Sequence, residues 1–224
     1  MNPHTQTFLI DGPVGAIDIA YDGPAGPPCG VALVAHPHPL YGGTRDNKVV
    51  QTITRALLAE GFAVWRPNFR AVGGTAGEHD AGCGETDDLM RVLDHIQADQ
   101  RVSEAARTRL VLAGFSFGSF VQTRVAQRLA QQGRPVAAMV LVGPAAQRFD
   151  LAPVPANTLV VHGELDELVP LSAVFDWARP QELPVVVLPG ADHFFHRRLT
   201  QLKALVSAFV ARAQVAQTAA GESI

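Results

Sequence analysis

Three short segments carry side chains whose types and order suit nucleophilic chemistry. The first is Leu110-Val111-Leu112-Ala113-Gly114-Phe115-Ser116-Phe117-Gly118-Ser119-Phe120, a Gly-x-Ser-x-Gly window between an apolar run and a helical stripe. A serine at the apex of a tight strand-to-helix turn projects its hydroxyl out of a sheet, within reach of a substrate. The backbone is strained there, and glycines two before and two after the serine relieve the crowding. The helix that follows aims its amino end at a developing oxyanion. By composition alone such a window arises by chance in roughly several per cent of chains this long. Without partners, Ser116 would be read as a capping serine in a glycine-rich turn.

The partners follow in the order acid, then base. Leu159-Val160-Val161-His162-Gly163-Glu164-Leu165-Asp166-Glu167-Leu168-Val169-Pro170 is an apolar run entering an acidic turn. Asp166, three residues past Gly163, is the candidate acid; Glu164 and Glu167 are the alternatives, though both suit a solvated turn better. Val185-Val186-Val187-Leu188-Pro189-Gly190-Ala191-Asp192-His193-Phe194-Phe195 repeats the arrangement, with His193 as candidate base just past the apolar run. His196 is the alternative, but it falls at the start of a helical stripe and reads as surface. Asp192 belongs to the turn, because an adjacent residue seldom reaches its neighbour's distal ring. In the chemistry expected, His193 takes the Ser116 proton and the alkoxide attacks a carbonyl carbon. Asp166 holds the imidazole's tautomer and orientation, and water releases the acyl group.

An oxyanion needs donors as well. Val31-Ala32-Leu33-Val34-Ala35-His36-Pro37-His38-Pro39-Leu40-Tyr41-Gly42-Gly43 runs from an apolar stretch into a histidine- and proline-rich loop. The Phe117 amide, just after the serine, is one expected donor. Pro37 and Pro39 carry no N–H, so His38 is the nearest second donor and Leu40 the next. Two flanking prolines would hold the His38 amide rigid, as preorganised electrostatics requires. Leu40, Tyr41, Phe69 and Phe194 are candidates for contact with substrate, with core packing an equal alternative for the aromatic rings. His36, His38 and His79 lack a cysteine or carboxylate at zinc spacing, so no metal is expected, and no cofactor either. His36 is expected to hydrogen-bond within its loop.

The elements that must position these groups are legible as alternating periods. Residues 7–10 and 16–20 read as a hairpin joined through Asp11-Gly12-Pro13. Apolar runs follow at 31–35, 63–65, 110–113, 137–142, 159–161 and 185–188, as in strands buried on both faces of a parallel sheet. Between them lie helical stripes: Val49, Val50, Ile53, Ala56 and Leu57; Leu89, Val92, Leu93 and Ile96; Phe120, Val121, Val125 and Leu129; Leu199, Leu202, Val206 and Phe209. The expectation is an α/β chain with an open, twisted, mostly parallel sheet of about eight strands and helices on both faces. Functional residues should lie at the carboxyl ends of the strands. The stretch from about Gly143 to Leu159, punctuated by Pro144, Pro153 and Pro155, is too short for a cap domain. Residues 72–84 are glycine-rich, which suggests a mobile loop near the mouth. Residues 1–213 read as one domain and 214–224 as a frayed tail.

Composition narrows the function class. The chain has 224 residues, 47% of them apolar, enough for one sizeable core. A formal net charge of −3 gives no reason to expect nucleic acid or an anionic membrane as partner. No run is long enough to span a bilayer, and residues 1–6 lack the pattern of a signal peptide. Cys29 and Cys83 show no metal or disulfide spacing, so a reducing cytoplasm is the expected location. The expected partner is a small-molecule ester or thioester; no feature demands a dimer.

Taken together, the motifs resemble those of small bacterial α/β-hydrolases related to the dienelactone-hydrolase-like group. The resemblance rests on His36-Pro37-His38-Pro39-Leu40-Tyr41-Gly42-Gly43 with Asp46-Asn47-Lys48-Val49-Val50. It continues through Asn68-Phe69-Arg70, Gly114-Phe115-Ser116-Phe117-Gly118, His162-Gly163-Glu164 with Asp166, and Asp192-His193-Phe194-Phe195. It implies an α/β-hydrolase fold and hydrolysis of esters or related acyl compounds. Three departures stand out. Ala71 replaces an expected glycine, Thr75 an expected serine, and the elbow carries serine where dienelactone hydrolases proper use cysteine.

Overall fold

The computed structural model describes residues 4–134 and 136–221, and side chains as far as residue 213. Among these residues eight strands form one sheet: β1 (Gln6–Gly12), β2 (Gly15–Asp22), β3 (Gly30–Ala35), β4 (Phe62–Pro67), β5 (Leu110–Phe115), β6 (Ala138–Val142), β7 (Thr158–Gly163) and β8 (Val185–Leu188). Their order is β1-β2-β4-β3-β5-β6-β7-β8. The β1–β2 hairpin closes at the Gly12–Gly15 pair, and β2 meets β4 antiparallel. From β4 to β8 every pairing is parallel. The expected mostly parallel, open α/β sheet is therefore present.

Among the described residues six α-helices cover it: α1 (Lys48–Ala59), α2 (Cys83–Ala98), α3 (Glu104–Arg107), α4 (Phe117–Gln131), α5 (Leu171–Ala178) and α6 (Leu199–Gly221). Alternation along the strands divides the core in two. Leu33, Leu112, Met139 and Leu141 face α2 and α4. Val34, Val111, Ala113 and Val140 face the opposite side, against α1 and α6. Every residue of β3 to β7 is buried, which is why these strands read as unbroken apolar runs.

Three elements differ from the sequence expectation. The run in β8 is only half-buried throughout, because β8 is an edge strand with one neighbour. The single-turn α3, capped by Ser103 Oγ accepting from the Ala106 amide at 3.3 Å, is too short to show a period. The eight-residue α5 buries only Val174 and Ala178, so it presents no full stripe. Residues 143–157, between β6 and β7, contain no helix, so among the described residues no helix inserted there caps the carboxyl edge of the sheet. No helix among the described residues is long and apolar enough to cross a membrane. Of the tail expected to fray, residues 222–224 lie outside the described residues.

Candidate active site

Ser116 sits between β5 and α4 with φ 55° and ψ −118°, a conformation that side-chain-bearing residues rarely adopt. Its amide donates to the Val142 carbonyl at 2.9 Å, anchoring the turn to β6. The flanking glycines are sterically required. A Cβ on Gly114 would stand 2.5 Å from the Gly118 carbonyl carbon, and one on Gly118 would stand 2.4 Å from the Ala35 oxygen. The helix behind is pinned to the strands by side chains. Ser119 Oγ donates to the Gly114 carbonyl at 2.8 Å, and Gln122 Nε2 donates to those of Leu33 and Ala113 at 2.9 and 3.0 Å.

His193, in the loop after β8, places Nε2 3.0 Å from Ser116 Oγ. Its Nδ1 lies 2.6 Å from Asp166 Oδ2, in the loop after β7. The other oxygen, Asp166 Oδ1, accepts from the Leu168 and Val169 amides at 2.9 and 2.8 Å. Burial pushes the Asp166 carboxyl up, but the His193 hydrogen bond and charge, the Val169 amide and nearby His162 outweigh it. The carboxyl is held below the ordinary aspartate value. Residues 77 and 27 positions apart in the chain thus form one hydrogen-bonded line. The Phe115 and Phe194 rings pack on the imidazole, with centroids 5.0 and 5.2 Å away.

The alternatives stand elsewhere. His196 Nδ1 is 2.6 Å from Asp192 Oδ2 in an exposed pair within the turn. Glu164 accepts the Gly190 amide at 2.8 Å, joining the loops after β7 and β8, and Glu167 is exposed.

The mouth is a cavity of about 490 Å³, within the range of small-molecule sites. Ser116, Phe117, His193, His38, Tyr41 and Phe194 line it. Two expected contacts do not. Phe69 is 1% exposed and packs in the core against His36 and Phe117, so its ring supports the wall from behind. Leu40 points outward, 64% exposed, beyond the lining. The turn after β6 supplies lining residues that the sequence reading passed over: Ala145, Arg148 and Phe149. Their signal was available, since that turn also follows a parallel strand at its carboxyl end. Residues 72–84 do not line the cavity. They are tied down instead, with Thr75 Oγ1 donating to the Asn68 carbonyl at 2.9 Å and accepting from the Asp18 amide at 3.0 Å.

The loop after β3 has its own frame. His36 is fully buried, donates from Nδ1 to the Pro37 carbonyl at 2.6 Å and accepts the Phe69 amide on Nε2 at 2.8 Å. It therefore also bridges to the loop after β4, beyond the local bond expected. Burial lowers its pKa to about 4, despite the Pro37 hydrogen bond. The Leu40 amide is engaged by His38 Nδ1 at 3.3 Å. Among the described residues the His38 amide meets no protein acceptor. Nor does that of Phe117, which, as the first residue of α4, has no intrahelical acceptor. His162, to which the sequence reading gave no role, is fully buried beside the acid. Its Nε2 donates to the Val169 carbonyl at 2.9 Å, and burial pushes its pKa down.

Comparison with known proteins agrees with this architecture. A family model described as an alpha/beta hydrolase domain matches residues 31–219. The uncharacterized protein RP471 of Rickettsia prowazekii is 31% identical over 213 residues, covering 91% of this chain and 87% of that protein. The crystal structure of XC6422 from Xanthomonas campestris, described as an a/b serine hydrolase without lid, is 37% identical with a TM-score of 0.84. That match covers 95% of this chain and 96% of the other. An alpha-beta serine hydrolase homologue from Coxiella burnetii is 36% identical with a TM-score of 0.78, covering 91% and 96%. At 17% identity and a TM-score of 0.75, Est1E from Butyrivibrio proteoclasticus shares the fold. With the fold, the elbow and the family match in agreement, the chain belongs to the α/β-hydrolase family, among its small bacterial serine hydrolases.

Proposed function

We propose that the protein cleaves carboxylic esters of small or medium soluble substrates through an acyl-enzyme, with Ser116 as nucleophile, His193 as base and Asp166 as its orienting acid. The observation that carries this reading is the continuous line from Asp166 Oδ2 through His193 to Ser116 Oγ, at 2.6 and 3.0 Å, opening on a cavity. Ser116 gives its proton to His193 Nε2 as Oγ bonds to the ester carbon. The imidazolium that forms is stabilised by Asp166, which stays ionised. The carbonyl oxygen becomes the oxyanion, met by the Phe117 and His38 amides. His38 is favoured over Leu40 because the Leu40 N–H already has an acceptor. His193 then protonates the departing alcohol, and water, deprotonated by the same imidazole, releases the acid.

A fluorophosphonate probe followed by mass spectrometry tests the assignment. The expected result is one adduct per chain, on Ser116, absent from Ser116→Ala and His193→Ala. Turnover of p-nitrophenyl esters should fall by roughly 10⁴-fold or more in Ser116→Ala. Full turnover in that variant would refute the reading.

A further inference from the structure

The loop before α2 reaches the oxyanion loop through one side chain. The His79 ring packs tilted against the His38 ring, with centroids 4.6 Å apart, and lies 5.3 Å from the Phe117 ring. Those are the side chains of the two residues whose amides face the oxyanion in the reading above, on which this inference rests. His79 is itself held from behind. Its Nδ1 lies 2.8 Å from Glu85 Oε1, off the line of a good hydrogen bond but within ion-pair reach. Glu85 is completely buried and takes the Asp80 and Gly82 amides at 2.9 and 2.8 Å. A buried carboxylate needs such partners, and they leave it one fixed position. Asp80 and Asp88 are in turn drawn to Arg70. Asp88 receives two hydrogen bonds from its guanidinium, at 2.8 and 3.0 Å. The whole start of α2 is therefore a rigid backing.

The His38 ring also meets Phe117, with centroids 4.8 Å apart, and Phe149 at 6.1 Å. Nδ1 takes the Leu40 amide at 3.3 Å, a long bond, and the exposed Tyr41 ring lies 4.7 Å away. Rotating the His38 ring does not turn the residue's own N–H, which the backbone orients, with the Tyr41 and Gly43 amides donating to the His38 carbonyl at 3.2 and 3.0 Å. We propose that the Glu85–His79 pair is a positioning element for the reaction, packed behind the His38 ring and thereby holding in place the loop that carries the His38 amide. His79 acts as a buttress, because without its ring the loop that carries His38 can settle toward α2 and take the N–H with it. The energy of such a donor is realised only when the carbonyl oxygen becomes charged. The device therefore acts on kcat and leaves ground-state binding alone.

The test compares wild type, His79→Ala and His79→Phe in ester kinetics, in affinity for a trifluoromethyl ketone and in melting temperature. With that ketone, Ser116 Oγ bonds to the carbonyl carbon, the serine proton passes to His193 and the carbonyl oxygen becomes a stable oxyanion. His79→Ala should lower kcat about tenfold, below the roughly 10²–10³-fold cost of losing a donor outright. KM should stay within about twofold, and ketone affinity should fall by the factor lost in kcat. His79→Phe, which keeps a ring against His38, should recover most of both. Unchanged kcat and ketone affinity in a folded His79→Ala, a loss confined to KM, or a Phe variant as impaired as Ala would each overturn the proposal. Turnover that survives Ser116→Ala would refute the reading of the site instead. Ser116-dependent turnover indifferent to His79 would refute only the positioning role.

Discussion

Ala71 is held at φ 63°, in the left-handed region, at the position where the resembling sequences suggest glycine. An alanine there carries about 1–2 kcal/mol of steric strain. Glycine removes it but gives back about 0.4–1 kcal/mol through a freer unfolded chain. Ala71→Gly should therefore stabilise the protein modestly, by roughly 0.5–1 kcal/mol, read as a higher urea midpoint at unchanged slope. The buried His36 makes a second prediction at this scale. Its pKa in the folded protein is about 4, against about 6.5 when unfolded. Above pH 6.5 both states are neutral there and the residue adds no pH dependence. As pH falls from 6.5 toward 4 the unfolded state takes up the proton first, so stability is lost across that window, on the order of 3 kcal/mol in full. Protonating Nε2 would also remove the acceptor of the Phe69 amide. His36→Gln should be less stable at pH 7 yet lose less between pH 6.5 and 4 than wild type. Parallel urea titrations decide it: an equal acid loss in both proteins would assign the effect to other groups.

Between elements, the seam that matters most joins the antiparallel hairpin to the parallel sheet. Arg66 on β4 and Asp22 on β2 form a buried pair at 2.7 Å, each 1% exposed, and Arg66 Nη1 donates to the Arg45 carbonyl at 3.0 Å. Arg45 Nη1 donates to Asp18 Oδ1 at 2.6 Å, and Asp18 Oδ2 accepts from Asn68 at 3.1 Å. One polar network therefore binds β2, β4 and the loop that leads into α1. Removing Arg66 takes the counter-ion from the buried Asp22 carboxylate, to which Thr5 Oγ1 still donates at 2.6 Å, so Arg66→Leu should cost about 3 kcal/mol in urea unfolding. Replacing the pair together, Arg66→Met with Asp22→Leu, should cost much less. A double variant as unstable as the single would show that packing, and not charge, dominates the seam. Apolar periodicity carries no signal for this network, because each member reads singly as an ordinary surface charge.

On the scale of the whole molecule, the edge of the sheet that carries Ser116 and His193 is open. Residues 143–157 contribute a turn and no cap helix, and exposed Tyr41, Leu168 and Phe194 border the cavity. Without a lid there is nothing to open at a lipid surface. Hydrolysis of a short-chain triglyceride should therefore rise smoothly and level off as substrate passes its solubility limit; an abrupt increase at that point would contradict an open site. The sheet, its parallel sense, the four long helices and the Ser116, Asp166, His193 order could all be read from the chain. Fully buried strands and long amphipathic helices impose local periods, and a strand-to-helix turn this tight demands Gly114 and Gly118 around its serine. The short α3 and α5 were silent, since they bury too few side chains to leave a pattern, while the run at 185–188 was read as a strand but as more buried than its edge position allows. The sequence by itself therefore determined the architecture and singled out Ser116, Asp166 and His193, the three side chains that the fold brings into one hydrogen-bonded line. Only the tertiary structure decided that Phe69 and Leu40 stand away from the cavity, that Arg148 and Phe149 enter it, and that His79 and Glu85 back the loop after β3. These are contacts between segments distant in the chain, set by how two cores close on one sheet, and no local period records them.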